Sequence, residues 1–182
     1  LSTRRQRQMC IRDRNQSLGF DIWRVNTKTK KKVKLTNSKR ANYPKFSPDG
    51  KSILFIAHEN STSQLYTMDI DGRDIKQITS NEGDVQIVTP AWSPDGRSVA
   101  FAMSESDGSM DIHTLELSTG KTQQITNSPE IDASPIWHPK GDMISYTGYY
   151  DITPNLYTYD FSNGKTIQLS LIHISEPTRQ PC

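Results

Sequence analysis

Short apolar stretches alternate with polar turn sequences along most of the chain, and no segment sustains the 3.6-residue period of an amphipathic helix. In the middle of the chain, Val99–Ala102 is apolar throughout, which is typical of a strand covered on both faces. Thr89–Trp92 and Ile112–Leu117 have the composition of further strands, and Thr122–Thr126 alternates in character. The pattern predicts a unit of four short strands.

Sequences with turn chemistry separate these strands. Ser93–Gly96 reads Ser-Pro-Asp-Gly, in which the proline presets φ at the second position and the glycine accepts a positive φ. Ser118–Lys121 reads Ser-Thr-Gly-Lys and predicts a hairpin turn with Gly120 at the strained position.

The unit recurs along the chain. Tyr43–Gly50, Thr89–Gly96 and Ser134–Gly141 align at their prolines, which stand 46 and 45 residues apart. Four strands in about 45 residues are typical of a propeller blade. The sequence therefore predicts an all-β fold: a partial β-propeller with about three complete four-stranded blades plus a partial one.

Both ends of the chain break the repeat. Met9–Arg14 and Leu169–Ser175 resemble translations of opposite strands of one short sequencing-adapter DNA. We therefore predict that residues 1–14 and 169–182 are adapter-derived and disordered, and we keep them apart from the fold. The incomplete propeller is assigned to residues 15–168, with units at approximately 15–41 (partial), 42–87, 88–132 and 133–168.

Setting the ends aside changes the charge. The whole chain has a net charge of +2, whereas residues 15–168 hold 16 basic and 18 acidic side chains and neither cysteine. The basic run Lys28–Lys34 falls in a predicted hairpin, where charge protects an outer strand from edge pairing. No apolar run approaches the ~20 residues of a membrane-spanning helix. We expect no nucleic-acid partner and no membrane span.

The segment W-S-P-D-G-R-S-V-A-F at Trp92–Phe101, followed by Asp111–Leu115 and Gln123–Thr126, resembles the repeat of the TolB β-propeller family. The resemblance covers about residues 20–168. It implies a six-bladed propeller in the bacterial periplasm that docks other envelope proteins. It is specific for the fold, because three copies agree in spacing, but it says little about function, because one type of blade serves many proteins.

Rings recur at two positions of the repeat. We predict that they pack between neighbouring blades rather than stack against a ligand, since one ring per blade fills the wedge between adjacent sheets. These residues are Phe46, Trp92 and Trp137 at one position, and Trp23, Tyr66, His113 and Tyr157 at the other.

Motifs that would carry chemistry are absent from the repeats. Asp69–Asp74 has a calcium-like D-x-D-G-x-D pattern, but Glu82 falls beyond the spacing of the distal ligand. His58, His113 and His138 lack metal-ligand spacing. We find no Gly-x-Ser-x-Gly elbow and no His-Glu-x-x-His motif. We therefore assign no catalytic residue, no metal site and no cofactor.

The loops between the second and third strands differ among the copies while the strands agree. Propellers carry recognition on loops held by a rigid ring. The loop of the last unit is the richest, since exposed aromatic side chains are frequent interface anchors. We predict that Tyr149, Tyr150 and Asp151 bind a protein partner.

Two functions remain open. The first is a non-catalytic protein-interaction module, as the TolB resemblance implies. The alternative is the substrate-gating propeller of a prolyl-oligopeptidase-type serine peptidase, whose catalytic Ser, Asp and His would lie downstream of the propeller. Nothing in residues 15–168 excludes this alternative.

Overall fold

The computed structural model describes the backbone of residues 8–14, and both backbone and side chains of residues 20–37, 40–59, 61–104, 108–150 and 153–169. Within these residues the chain forms fifteen strands and no helix. The strands are β1 (Gln8–Arg14), β2 (Phe20–Asn26), β3 (Lys32–Lys34), β4 (Asn42–Phe46), β5 (Ser52–Glu59), β6 (Thr62–Asp69), β7 (Lys76–Gln77), β8 (Ile87–Trp92), β9 (Ser98–Ser104), β10 (Met110–Glu116), β11 (Thr122–Gln124), β12 (Asp132–Trp137), β13 (Met143–Gly148), β14 (Asn155–Asp160) and β15 (Lys165–Gln168).

The strands form four antiparallel sheets, each joined in chain order. Blade 1 consists of β1 to β3, blade 2 of β4 to β7, blade 3 of β8 to β11 and blade 4 of β12 to β15. The predicted all-β partial propeller is confirmed. The first strands of blades 3 and 4 begin at Ile87 and Asp132, one residue before the predicted unit boundaries.

The structure differs from the sequence prediction near the N-terminus. Residues 8–14, which we expected to be disordered, form β1 and pair with β2 from Gln8↔Asn26 to Arg14↔Phe20. Without β1, that edge of β2 would present a row of unpaired N–H and C=O groups, which an upstream segment can satisfy through its backbone alone. Residues 1–7, 15–19 and 170–182 lie outside the described residues.

The Ser-Pro-Asp-Gly turns close by a repeated set of side-chain bonds. In blade 3, the Ser93 hydroxyl donates to Asp95 Oδ1 at 2.6 Å, and the Arg97 N–H donates to the same oxygen at 3.0 Å. These two donors hold the pKa of Asp95 below its usual value, the Ser93 hydroxyl contributing most. Gly96 has φ +71°, as the turn requires. Blade 2 repeats the arrangement with Ser47, Asp49, Gly50 and Lys51.

Apolar side chains from neighbouring blades meet in three clusters, one at each blade-to-blade contact. In blade 2, β5 shows how one strand serves two of them. Phe55 faces blade 1, whereas Leu54 and Ile56 face blade 3, and all three are fully buried. The apolar second strand is therefore covered on both faces, as predicted.

The recurring rings pack inside these contacts. The cross-strand pair Phe55 and Tyr66 stacks with ring centroids 5.5 Å apart, and Phe101 and His113 stack at 5.9 Å. Tyr146 pairs with Tyr157 in the same way in blade 4. The prediction that these rings pack between blades is confirmed for Tyr66, His113 and Tyr157, which are buried.

The first strands of blades 2, 3 and 4 (β4, β8 and β12) each carry a β-bulge next to a proline. Tyr43, Thr89 and Ser134 have φ values of +50°, +50° and +57°, and the strand register shifts across each of them. The Ser134 N–H donates to Thr89 Oγ1 at 3.1 Å, so the bulges of blades 3 and 4 contact each other directly.

In blades 1 to 3, a hydroxyl just beyond the last strand is hydrogen-bonded to the strand before it. In blade 3, the Ile112 N–H donates to Thr126 Oγ1 at 2.9 Å, and the Thr126 hydroxyl donates to Asp111 Oδ1 at 3.0 Å. The same arrangement recurs in the two preceding blades, with Ile22, Thr36 and Asp21 in blade 1 and Leu65, Thr79 and Gln64 in blade 2.

Candidate protein-interaction site

The loop that follows β13 presents one aromatic side chain to solvent. Tyr149 is 43% exposed, and its backbone N–H donates to Ile131 O at 3.0 Å. Ile131, which precedes β12, is itself 46% exposed. We call this pair the 131/149 surface. It joins an exposed aromatic residue and an exposed aliphatic residue through their backbones, and exposed aromatic residues are frequent interface anchors.

Tyr150 turns inward instead. Its hydroxyl donates to Asp132 Oδ2 at 2.9 Å and lies 3.2 Å from the Tyr146 hydroxyl. Its ring meets Tyr157 edge to face, with centroids 4.7 Å apart. We predicted an exposed aromatic side chain at Tyr150, and the structure corrects this: Tyr150 is half-buried and anchors the loop to the blade.

Asp151, the third predicted residue, lies outside the described residues. The structure therefore brings Tyr149 and Tyr150 together in one loop but gives them different roles. Tyr149 is available to a partner, and Tyr150 fixes the backbone that carries it.

Sequence reasoning missed Ile131 and Asp132. When the repeats are aligned at Pro90 and Pro135, Ile131 corresponds to Gln86, and Asp132 corresponds to the buried Ile87. An acidic residue at an apolar position of the repeat was the available signal. Asp132 is 0% exposed, so this position remains in the core although its chemistry has changed.

The electrostatics of this loop follow from burial. Burial raises the pKa of Asp132, the neighbouring Asp111 adds to the increase, and the hydrogen bond from Tyr150 opposes it. Burial likewise raises the pKa of Tyr150, and its hydrogen bonds with Tyr146 and Asp132 raise it further. Tyr150 therefore keeps its proton at neutral pH and acts as a donor to Asp132.

In blade 2, the histidine His58 near the end of β5 makes the contacts beside the corresponding loop. His58 Nε2 lies 3.0 Å from Asn42 Nδ2, and His58 Nδ1 lies 3.0 Å from Ser63 Oγ. Ser63 Oγ also donates to Gln86 Oε1 at 3.2 Å. Burial, followed by the charge of Arg40, lowers the pKa of His58. The fully buried Ser63 links blades 2 and 3 through this chain of bonds.

The Asp69–Asp74 segment forms the hairpin between β6 and β7. Asp69 Oδ1 accepts hydrogen bonds from the Asp71 and Arg73 N–H groups, both at 2.8 Å. Asp71 pairs with Arg24 of blade 1 at 2.6 Å. These carboxylates therefore close the hairpin and fasten it to blade 1. Among the described residues, no group of three or more His, Cys, Asp or Glu side chains could hold a metal ion.

The described part of the chain contains no helix with the length and hydrophobicity that a bilayer crossing requires.

Comparison with known protein families identifies the family to which the fold belongs. A family model of the TolB beta propeller domain matches residues 86–180, which is just over half of the chain. The chain belongs to the TolB β-propeller family. The Tol-Pal system protein TolB of Francisella tularensis subsp. mediasiatica (strain FSC147) is 40% identical to it over 102 residues, which cover 54% of this chain and 23% of that protein. The TolB-type chain thus spans about a quarter of the curated relatives that it matches.

Solved structures agree with this assignment. TolB from Acinetobacter baumannii superposes with a TM-score of 0.79 and 26% identity, covering 91% of this TolB-type chain and 42% of the other. A Mycobacterium tuberculosis puromycin-hydrolyzing peptidase superposes with a TM-score of 0.68 and 14% identity, covering 91% and 31%. The second likeness shows the shared fold alone.

Proposed function

We propose that this TolB-type propeller is a non-catalytic protein-interaction module of the bacterial periplasm, and that its 131/149 surface contacts the partner. The single observation that carries the proposal is the exposed Tyr149 and Ile131 pair, held in place by the inward-facing Tyr150. The Tol-Pal name of its 40% identical relative supports a partner from a Tol-Pal system, and we propose its Pal component.

The geometry suits protein recognition. A tyrosine offers a large, rigid contact area at low cost in conformational entropy. The Tyr149 N–H bond to Ile131 and the Tyr150 bond to Asp132 fix the backbone on both sides of the ring. A partner therefore meets a surface that is already ordered, which reduces the entropic cost of binding.

Replacing the exposed ring tests this proposal. We expect Tyr149→Ala to weaken binding to purified Pal by about 30-fold, which corresponds to roughly 2 kcal/mol for an interface anchor. Isothermal titration calorimetry measures the change. Tyr43→Ala is the matched control, because Tyr43 is 40% exposed but lies in β4, away from the loop. Equal affinities for Tyr149→Ala and the unsubstituted chain would contradict the proposal.

The peptidase alternative has one observation in its favour, the superposition with the puromycin-hydrolyzing peptidase. Its 14% identity compares with 40% for the Tol-Pal relative, so we place it second. The gene sequence downstream of this segment separates the two functions. A Gly-x-Ser-x-Gly elbow there would favour the peptidase, whereas a stop codon after the last blade would favour the interaction module.

A further inference from the structure

The hairpin that joins β2 to β3 in blade 1 concentrates positive charge. It carries four lysines in five successive positions and no acidic residue: Lys28, Lys30, Lys31 and Lys32. All four side chains are exposed. Within the part of the chain that the structure describes, none of their ammonium groups has an ion-pair partner. We call these four lysines the 28–32 patch.

The hairpins at the same end of the other blades do not share this charge. The hairpin of blade 2 holds three acids, and two of them, Asp69 and Asp71, pair with arginines. In blades 3 and 4, one acid and one lysine flank each hairpin: Glu116 and Lys121 in the first, Asp160 and Lys165 in the second. The patch is therefore local, since residues 15–168 as a whole contain more acidic than basic side chains.

The turn that carries the patch is already ordered. The Asn26 N–H donates to Lys31 O at 2.9 Å, and the Lys30 N–H donates to Asn26 O at 2.8 Å. Asn26 Oδ1 also accepts from the Lys28 and Thr29 N–H groups at 3.0 and 2.9 Å. Backbone bonds and the Asn26 side chain therefore form the turn, and the lysine side chains remain available to a partner.

Protection of the sheet edge accounts for only part of this charge. β3 is the last strand of blade 1 and contains Lys32 and Lys34, and Lys34 pairs with an acid of β2. Charge on such an edge strand deters pairing with another chain. Lys28, Lys30 and Lys31 lie in the turn before that strand, where no strand edge is exposed. Their charge therefore needs another explanation.

The chemistry of the patch distinguishes among anionic partners. The segment Thr27–Lys34 contains no arginine, whose planar fork matches a single phosphate or carboxylate, and no aromatic ring on which a nucleic-acid base could stack. Lysine is also depleted in protein–protein interfaces. Clusters of about four to eight basic residues are attracted to anionic lipid headgroups, which require no fixed geometry.

We propose that the 28–32 patch docks blade 1 onto an anionic lipid surface. In blade 4, the third strand β14 follows the loop that carries Tyr149, whereas β2, its counterpart in blade 1, ends at the patch. The patch therefore lies at the opposite end of the blades from the 131/149 surface. One chain can contact lipid headgroups at one end and a protein partner at the other, so the inference goes beyond the proposed function.

Sedimentation of the full chain with lipid vesicles tests the proposal. The probes are vesicles of phosphatidylglycerol and phosphatidylcholine in equal parts, and vesicles of phosphatidylcholine alone. We expect binding to the anionic vesicles that weakens as salt is added. Because each lysine near an anionic surface contributes about fivefold in affinity, replacing Lys28, Lys30 and Lys31 together by Gln should weaken binding by more than about tenfold.

A matched control removes the same charge elsewhere. Replacing Lys121, Lys140 and Lys165 together by Gln removes three exposed lysines at the same end of blades 3 and 4. We expect binding to weaken by less than about twofold, because these lysines are dispersed and each has an acid a few positions away. Replacing the three patch lysines by Arg instead should preserve binding, and this variant keeps the test decisive if the Gln variant folds poorly.

The proposal is overturned if the chain does not bind the anionic vesicles, if it binds phosphatidylcholine equally well, or if the control substitutions weaken binding as much as the patch substitutions. Duplex DNA and a polyglutamate peptide, titrated at the same salt, represent the competing partners. Binding to either that exceeds vesicle binding and requires the patch lysines would assign the patch to nucleic acid or to an acidic protein segment. None of these measurements involves Pal, so the patch and the proposed protein partner fail independently.

Discussion

At the residue scale, the glycines with positive φ differ in what surrounds them. Gly72, in the hairpin between β6 and β7, has φ +81°, and a Cβ added there would lie 3.0 Å from Leu35 O of blade 1. Gly120, in the corresponding hairpin of blade 3, has φ +70° but no atom within 4 Å of such a Cβ. Both positions need a left-handed backbone, but only Gly72 also permits close contact between two blades.

This difference predicts unequal costs of substitution. Gly72→Ala and Gly120→Ala should each lose about 1–2 kcal/mol because an L-residue must adopt the left-handed conformation. Gly72→Ala should lose more, since its new methyl group would also push against the backbone of Leu35. Urea denaturation of both variants measures the free energies of unfolding. Equal losses would show that the blade 1 contact does not constrain Gly72.

The turn glycines could be predicted from sequence, because a turn's φ requirement is local. The residues before the prolines could not. Thr89 was expected to lie in a plain strand, but it has φ +50° and accepts a bond from Ser134 of the next blade. This contact joins residues 45 positions apart, so the sequence around either residue alone does not indicate it. Asp132 is a different case, because the repeat does hold a signal there: an acid stands where blades 2 and 3 have Ala41 and Ile87.

At the element scale, the last strands of blades 1 to 3 are short, and a hydroxyl just beyond each of them is hydrogen-bonded to the strand before it. The three residues of β11 are all exposed, whereas Thr126 just beyond them is buried. Thr126 accepts from Ile112 and donates to Asp111. The hydroxyls of Thr36, Thr79 and Thr126 therefore have a physical role, which is to end three of the sheets with a hydrogen bond to the neighbouring strand.

Replacing this hydroxyl by a methyl group tests the role. Thr126→Val keeps the side-chain shape but leaves the Ile112 N–H without its acceptor and removes one of the two donors to Asp111 Oδ1. We expect a loss of about 1–3 kcal/mol in the free energy of unfolding. Thr122→Val in β11 is the control, because Thr122 is exposed and its replacement should change stability by less than about 0.5 kcal/mol. Similar values for the two variants would remove the role assigned to Thr126.

At the scale of the whole molecule, blade 4 exposes the kind of face that other blades bury. Leu156 in β14 pairs with Thr147 as Ile112 in β10 pairs with Ala102. Ile112 is fully buried against blade 4, but Leu156 is 41% exposed. Ile167 in β15 lies on the same face and is 60% exposed. Stacked units bury their faces only against neighbours, which accounts for this exposure.

Successive blades bury matching faces, and blade 4 therefore carries an exposed apolar face that can pack against a second copy of this chain. Sedimentation equilibrium over a range of concentrations tests it most directly. We expect the unsubstituted chain to self-associate and Ile167→Lys to shift it towards monomer. Gln123→Lys, at the equivalent register position in blade 3, should leave association unchanged. An unsubstituted chain that stays monomeric at every concentration, or Ile167→Lys that associates as strongly, would contradict the account.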